Sequence, residues 1–355
     1  MNQVVKIAFV VVLSLVSFVG ISQTTDSQLA AHYYQNEEYG KALLYYNRLY
    51  SKQSNTSNYN YLFKCLIKLE NYSEARKLSK RHVRIDPINQ KAKVDYGYTY
   101  GLEGNVKMRS KEFKKLVKTL APNYQVINEL AAAFLDIKRN QEALDVYQQG
   151  RSVMKNTYPF NTEIADIYYR MERYDDMTEE LLNLLELNPG YLKTVEGLLN
   201  KTAANEKDSP ANKSLKKGLI QKINQKPNST VFSEMLIWVY MQEANWNAAF
   251  IQVKALDRRL GEDGRRVYNL AETLANNKEY KVAADTYAYV VKVGKKSQYY
   301  VESRIGGLMV RFNQLADGGS IDSLAMTELI TDFDATINIF GNNEGTSTLL
   351  RKKAF

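Results

Sequence analysis

The sequence has 355 residues, of which 45% are hydrophobic and 25% charged, and a formal net charge of +9. This is a folding composition and excludes a disordered chain. Six prolines and 18 glycines suit a helical protein, 26 tyrosines suit packed helices that keep wet surfaces, and a lone cysteine, Cys65, excludes an internal disulfide framework.

The first predicted element is a leader. Lys6 precedes the uncharged run "IAFVVVLSLVSFVGIS", which ends in small residues near Gly20 and Ser22. A short basic start, an apolar centre and small residues describe a cleavable secretory signal over 1–22, leaving Gln23 first. The rival reading is a retained membrane anchor, for which the run is short. No cysteine stands at the cleavage site, which argues against a lipoprotein. An exported chain without disulfides points to the envelope of a Gram-negative bacterium, in the periplasm or at the outer membrane.

A helical hairpin then recurs along the chain. Anchors at the start of each second helix fall at Ala42, Ala75, Arg109, Ala143, Met177, Ala249 and Ala283, in steps of 33, 34, 34, 34, 72 and 34. Three residues before the anchors stand Tyr39, Tyr72, Val106, Asn140, Tyr174, Trp246 and Tyr280. Nine before them stand Tyr33, Leu66, Tyr100, Phe134, Tyr168, Tyr240 and Leu274. Twelve before them stand Ala30, Phe63, Gly97, Ala131, Ala165, Ile237 and Ala271. Small residues let two antiparallel helices cross closely, and aromatics fill the gaps between hairpins. Prolines close units at Pro87, Pro122 and Pro189. Where Arg109 and Met177 replace the small anchor, and Phe63 and Ile237 the small residue of the first helix, looser or splayed hairpins are expected. A period near 34 is the signature of a solenoid.

The best units are "AAHYYQNEEYGKALLYYNRLY", "AAAFLDIKRNQEALDVYQQG" and "AETLANNKEYKVAADTYAYVV". This pattern resembles the tetratricopeptide repeat over roughly residues 26 to 295 and, more weakly, beyond. The resemblance implies an all-α fold, a right-handed superhelical solenoid of tetratricopeptide helix-turn-helix hairpins. The "SQ" junction resembles leaders of Bacteroidota. The expected organisation is a signal peptide at 1–22, about five repeats at 23–190, and a degenerate repeat at 191–227. Two further repeats follow at 228–296, then a weaker helical part at 297–355 that is incomplete at its C-terminal end. "NKTAANEKDSPANKS" inside the degenerate unit reads as a loop and a hinge. The closing "TLLRKKAF" reads as the opening of another helix, which suggests a fragment of a longer array or an end capped by a partner.

Nothing in the chain assembles a catalytic site, a metal site or a cofactor site. The only histidines are His32, placed on a helix flank, and His82, placed inward in a structural role. Neither pairs with Cys65 at metal or catalytic spacing. "GLEG" at Gly101 is a turn between helices and not a phosphate cradle. The adjacent acids Asp175–Asp176 and Glu179–Glu180 read as a solvated helix start.

In the family, first helices line a concave groove. Carried onto this sequence, the resemblance places Tyr34, Asn60, Lys64, Tyr98, Asn128, Asp166, Tyr169, Trp238 and Tyr268 there, with Asp136, Thr162 and Glu272 beside them. Such a lining suits a peptide or glycan; its rival is padding between hairpins. The family's carboxylate clamp of lysine, asparagine and arginine is not found, since Ser27 and Ala31 stand where Lys and Asn would be needed.

The charge is segregated. Between Asn71 and Lys118 thirteen Lys or Arg face five Asp or Glu, and Lys107, Lys111, Lys114, Lys115 and Lys118 run along one helix. By contrast, eight acids against two arginines occupy Glu163 to Glu186. A basic patch attracts an acidic protein partner, anionic lipid or acidic polysaccharide; its rival is a solvated face. Nucleic acid does not fit an exported protein. The expected function is a non-enzymatic protein-protein interaction scaffold of the envelope, and the alternative is a periplasmic glycan- or peptide-ligand-binding protein.

Overall fold

The computed structural model describes residues 26–155, 157–202, 208–317 and 323–353. The leader expected at 1–22 lies outside the described residues. Among the described residues there are nineteen α-helices and no strand. The chain divides into two units, Met1–Ile167 and Tyr168–Phe355.

The first unit holds α1 (26–35), α2 (Tyr39–Lys52), α3 (Thr56–Lys68), α4 (Tyr72–Ile85), α5 (Gln90–Leu102), α6 (Val106–Lys118), α7 (Tyr124–Asp136) and α8 (Asn140–Val153). The boundary falls within α9 (Asn161–Arg170). The second unit holds α10 (Tyr174–Leu187), α11 (Leu192–Thr202), α12 (Pro210–Gln225), α13 (Val231–Gln242), α14 (Trp246–Leu260), α15 (Arg265–Asn276), α16 (Tyr280–Val293), α17 (Tyr300–Asp317), α18 (Ser323–Phe340) and α19 (Glu344–Lys353). Within each unit most helices pack on their neighbours in sequence and, at several points, on the next but one: α5 on α7, α6 on α8, α10 on α12, α11 on α13, α14 on α16. Among the described residues the fold is all-α, built of repeated helical hairpins.

Among the described residues one turn recurs in seven hairpins. Glu37, Glu70, Gly104, Lys138, Glu172, Ala244 and Lys278 all take positive φ. The following residue's N–H then donates to the carbonyl five residues back. These bonds run from Glu38 to Tyr33, Asn71 to Leu66, Asn105 to Tyr100, Arg139 to Phe134, Arg173 to Tyr168, Asn245 to Tyr240 and Glu279 to Leu274, at 2.8 to 2.9 Å. This is the left-handed helix stop that satisfies orphan carbonyls. Its acceptors are the residues that stand nine before each anchor, so those large side chains mark the last turn of each first helix. Three first helices also begin on an asparagine cap. Asn55, Asn89 and Asn123 accept N–H bonds from Asn58, Ala92 and Val126 at 2.8, 2.9 and 3.0 Å.

The core runs between the paired helices. The alanine anchors Ala42, Ala75, Ala143, Ala249 and Ala283 are buried, as are Ala30, Ala131, Ala165 and Ala271 on the facing helices. Gly97 lies against Phe113, where an added Cβ would come within 2.7 Å of the ring.

The structure corrects three sequence readings. The hairpin of α5 and α6 does not splay at Arg109, because Gly101 faces it; a Cβ at Gly101 would sit 2.6 Å from Arg109 Cδ. The stretch read as a loop around Asp208 is helical at both ends. α11 reaches Thr202, and α12 starts at Pro210, whose missing N–H is no loss in a first turn. α12 carries a buried Ala211, one period of 34 after Met177. The "TLLRKK" stretch is the second half of α19, not the opening of a new helix. Its Leu349 joins a buried cluster with Leu308, Leu329 and Phe333 from α17 and α18.

Candidate functional site

First helices of the first unit build one open groove. Its walls come from Tyr34 on α1, Asn60, Lys64 and Lys68 on α3, Lys91, Asp95 and Tyr98 on α5, and Asp136 with Lys138 at the end of α7. It encloses about 670 Å³. The structure therefore brings together four sequence-predicted residues, Tyr34, Asn60, Lys64 and Tyr98, with Asp136 beside them.

A buried polar network fixes its floor. Asp95 is 1% exposed, and both its oxygens accept from Lys91 Nζ at 2.8 and 2.9 Å. Tyr59 OH, also buried, donates to Asp95 at 2.9 Å and reaches Ser79 Oγ at 3.2 Å. Burial raises the Asp95 carboxyl above its ordinary range, and Lys91 and Tyr59 offset part of that rise. Burial likewise raises Tyr59 well above the phenol range. Lys91 also stands 5.5 Å over the Phe63 ring. These contacts tie α3, α4 and α5 into one wall.

The groove surface is cationic. Asp95 is committed to Lys91, which leaves Lys64, Lys68 and Lys138 facing the single acid Asp136. Lys64 lies 5.8 Å over Tyr61 and Lys68 lies 5.7 Å over Tyr39. Among the described residues none of these three lysines is in an ion pair. Tyr34 meets Tyr39, Tyr46 and Tyr61 edge to face at 5.5, 6.2 and 5.3 Å, and burial raises its pKa. The tyrosine wall is held by its own rings.

The other sequence-predicted positions lie outside this groove. Asn128 is used internally: its amide donates to the Tyr124 carbonyl at 2.8 Å and its oxygen accepts from Tyr147 OH at 3.0 Å. Thr162 donates to Glu163 at 2.7 Å, and Asp166 sits half-buried on the same helix. In the second unit Tyr169 packs near Tyr174, and Trp238 is half-buried on α13. Tyr268 is stacked on Tyr299 at 4.8 Å, its hydroxyl raised to about 12 by burial and then by Glu272. Glu272 accepts from Tyr287 OH. Lys107, Lys111, Lys114, Lys115 and Lys118 are all exposed on α6, a second helix, and none lines the groove.

Lys68, Lys91, Asp95 and Lys138 were missed by sequence reasoning. Lys68 was within reach of it, being one helical turn from Lys64. A buried acid such as Asp95 looks like any surface acid in a polar helix.

His82 and Cys65 are engaged structurally. His82 is buried, its Nδ1 is 2.9 Å from Tyr50 OH, and its ring stacks on Tyr59 at 4.2 Å. Burial lowers its pKa, so the neutral ring is favoured. His32 is exposed beside Asn36. Cys65 is buried, and burial pushes its thiol up to about 11, far from a reactive thiolate. Among the described residues no three His, Cys, Asp or Glu gather as a metal site, and no helix is long and apolar enough to cross a membrane.

No family model matches the sequence, and no curated protein matches it. Among solved structures, the chain is similar to the Naa15/Naa10 complex bound to HypK-THB, at 13% identity and a TM-score of 0.28, over 94% of this chain and 55% of that one. It thus spans about half the length of that relative. It is similar to yeast Tom70, at 11% identity and a TM-score of 0.26, over 94% of this chain and 95% of that one. It is similar to a tetratricopeptide repeat protein from Parabacteroides merdae, at 12% identity and a TM-score of 0.25, over 75% of this chain and 99% of that one. The hairpin fold stands on the chain's own period of about 34 and its repeated turn.

Proposed function

We propose that this chain is a non-enzymatic scaffold that holds an extended segment of a partner protein in the groove of its first unit. The observation that carries this is the convergence of Tyr34, Asn60, Lys64 and Tyr98 from three hairpins on one open, cationic groove. Aromatic anchors with unpaired lysines suit a peptide of acidic character. The place of action we propose is the envelope of a Gram-negative bacterium, in the periplasm or at the outer membrane. It is supported by Lys6, the apolar run that follows and the small residues near Ser22.

A glycan in the groove has less support. Sugars need an open ring face, and Tyr34 is already edged by three neighbours while Tyr268 is covered by Tyr299. The test is retention of partners from crosslinked envelope fractions by the wild-type chain and by a Lys64→Glu, Tyr98→Ala variant. A protein held by the wild type and lost by the variant is expected. Equal retention by both, or retention of carbohydrate alone, overturns the reading.

A further inference from the structure

The second helices α4 and α6 share a feature that the groove does not use. Lys77, Lys80, Arg81 and Arg84 of α4 recur one period of 34 later as Lys111, Lys114, Lys115 and Lys118 of α6. Equal repeat positions place both sets on the same side of their hairpins, and all eight side chains are exposed. Among the described residues only Lys77 is in an ion pair, with Glu74. The set is bounded. The same four positions on α2 are Leu44, Asn47, Arg48 and Ser51, and on α8 Asp145, Gln148, Gln149 and Ser152. The charge excess of the sequence is therefore a two-helix surface rather than a general basicity.

Geometry limits what such a surface can read. Each set covers about 10 Å of helix. The cations are six lysines and two arginines, and Arg81 already stands 4.9 Å over the Tyr50 ring. Lysine carries a compact, hydrated charge on a flexible stem and lacks the fixed fork with which arginine selects one oxyanion geometry. Such a face measures charge density rather than shape. Its mutual repulsion is relieved by any sheet of anions laid against it.

We propose that the exposed face of α4 and α6 docks on an anionic lipid bilayer, and that it does so independently of the groove. Clusters of four to eight Lys or Arg on a helix face suit anionic headgroups. Each unpaired lysine brought to such a surface raises partitioning about fivefold, and the effect fades beyond a screening length. A bilayer presents its phosphates as a plane, which long side chains from two helices can meet together; a folded acidic protein would have to match eight flexible side chains with fixed carboxylates.

The test uses the full chain with vesicles of phosphatidylcholine alone and of phosphatidylcholine mixed with phosphatidylglycerol. Partitioning is read as the ratio between the two, which removes any contact made by the apolar run at 7–22. The expected wild-type ratio is high at low salt and falls as salt rises. Substituting Lys111→Gln, Lys114→Gln, Lys115→Gln and Lys118→Gln together should lower it on the order of a few hundredfold, with the helical circular dichroism unchanged. A control with Lys213→Gln and Lys217→Gln, both exposed on α12, should keep the wild-type ratio, as should the groove variant. The proposal is overturned if the α6 variant keeps the wild-type ratio or if the control loses as much. It is also overturned if the chain holds soluble poly-glutamate but shows no preference for phosphatidylglycerol.

Discussion

Asp95 and Lys91 show how a single pair holds the groove wall. A buried carboxylate without its counter-charge costs far more than the pair contributes. Replacing Lys91→Met should therefore destabilise the first unit by about 3 kcal/mol at neutral pH, the low end for a buried pair because Lys91 keeps a quarter of its side chain exposed. The pH dependence has a definite sign. Burial raises the folded pKa of Asp95, so its ionised form is the disfavoured one and the penalty grows as pH rises above the unfolded carboxylate range. The deficit of the variant should shrink on acidification to about pH 4. Urea unfolding at both pH values measures it; a deficit that is equal at the two would remove Asp95 as its cause. His82 was placed inward by its phase relative to Ala75, and the structure agrees, with Tyr50 and Tyr59 as its neighbours. Asp95 and Tyr59 were not legible. Their link runs between successive hairpins, and no sequence pattern within one hairpin signals it.

At the scale of the element, the hairpins were legible because their turn is one motif used repeatedly. The large residue nine before each anchor marks the last turn of the first helix, and the small anchor marks the crossing. What failed were exceptions judged one position at a time. Arg109 looked like a flaw, but the space for it is made eight residues earlier, at Gly101 on the facing helix. Gly101→Leu should thus cost about 1–3 kcal/mol by overpacking against Arg109. Combined with Arg109→Ala it should cost less than the sum of the single changes, by about 1 kcal/mol. Thermal unfolding of the three variants tests this, and strict additivity would break the assigned contact. The start of α12 was read as loop for a related reason: Pro210 was taken as a loop signal, although Ala211 stood 34 residues after Met177.

Across the whole molecule, composition and period pointed to a helical repeat chain, and partners are the part they left open. The groove residues of the first unit converge because first helices recur at one interval, whereas the second-unit positions Trp238 and Tyr268 lie outside that groove. The two basic regions also separate at this scale: Lys64, Lys68 and Lys138 face the groove, while the α4 and α6 cations face outward from a different layer of helices. A partner segment and a charged surface can therefore be engaged by different sides of the same hairpins. The most direct measurement places a photo-crosslinking amino acid at Tyr98 in the groove and, separately, at Ile251, an exposed position on α14, in cells that make the chain. Scaffolding through the groove is expected to give a discrete protein adduct from position 98, lost with Lys64→Glu, and none from position 251. The same adducts from both positions, or none from position 98, would contradict it.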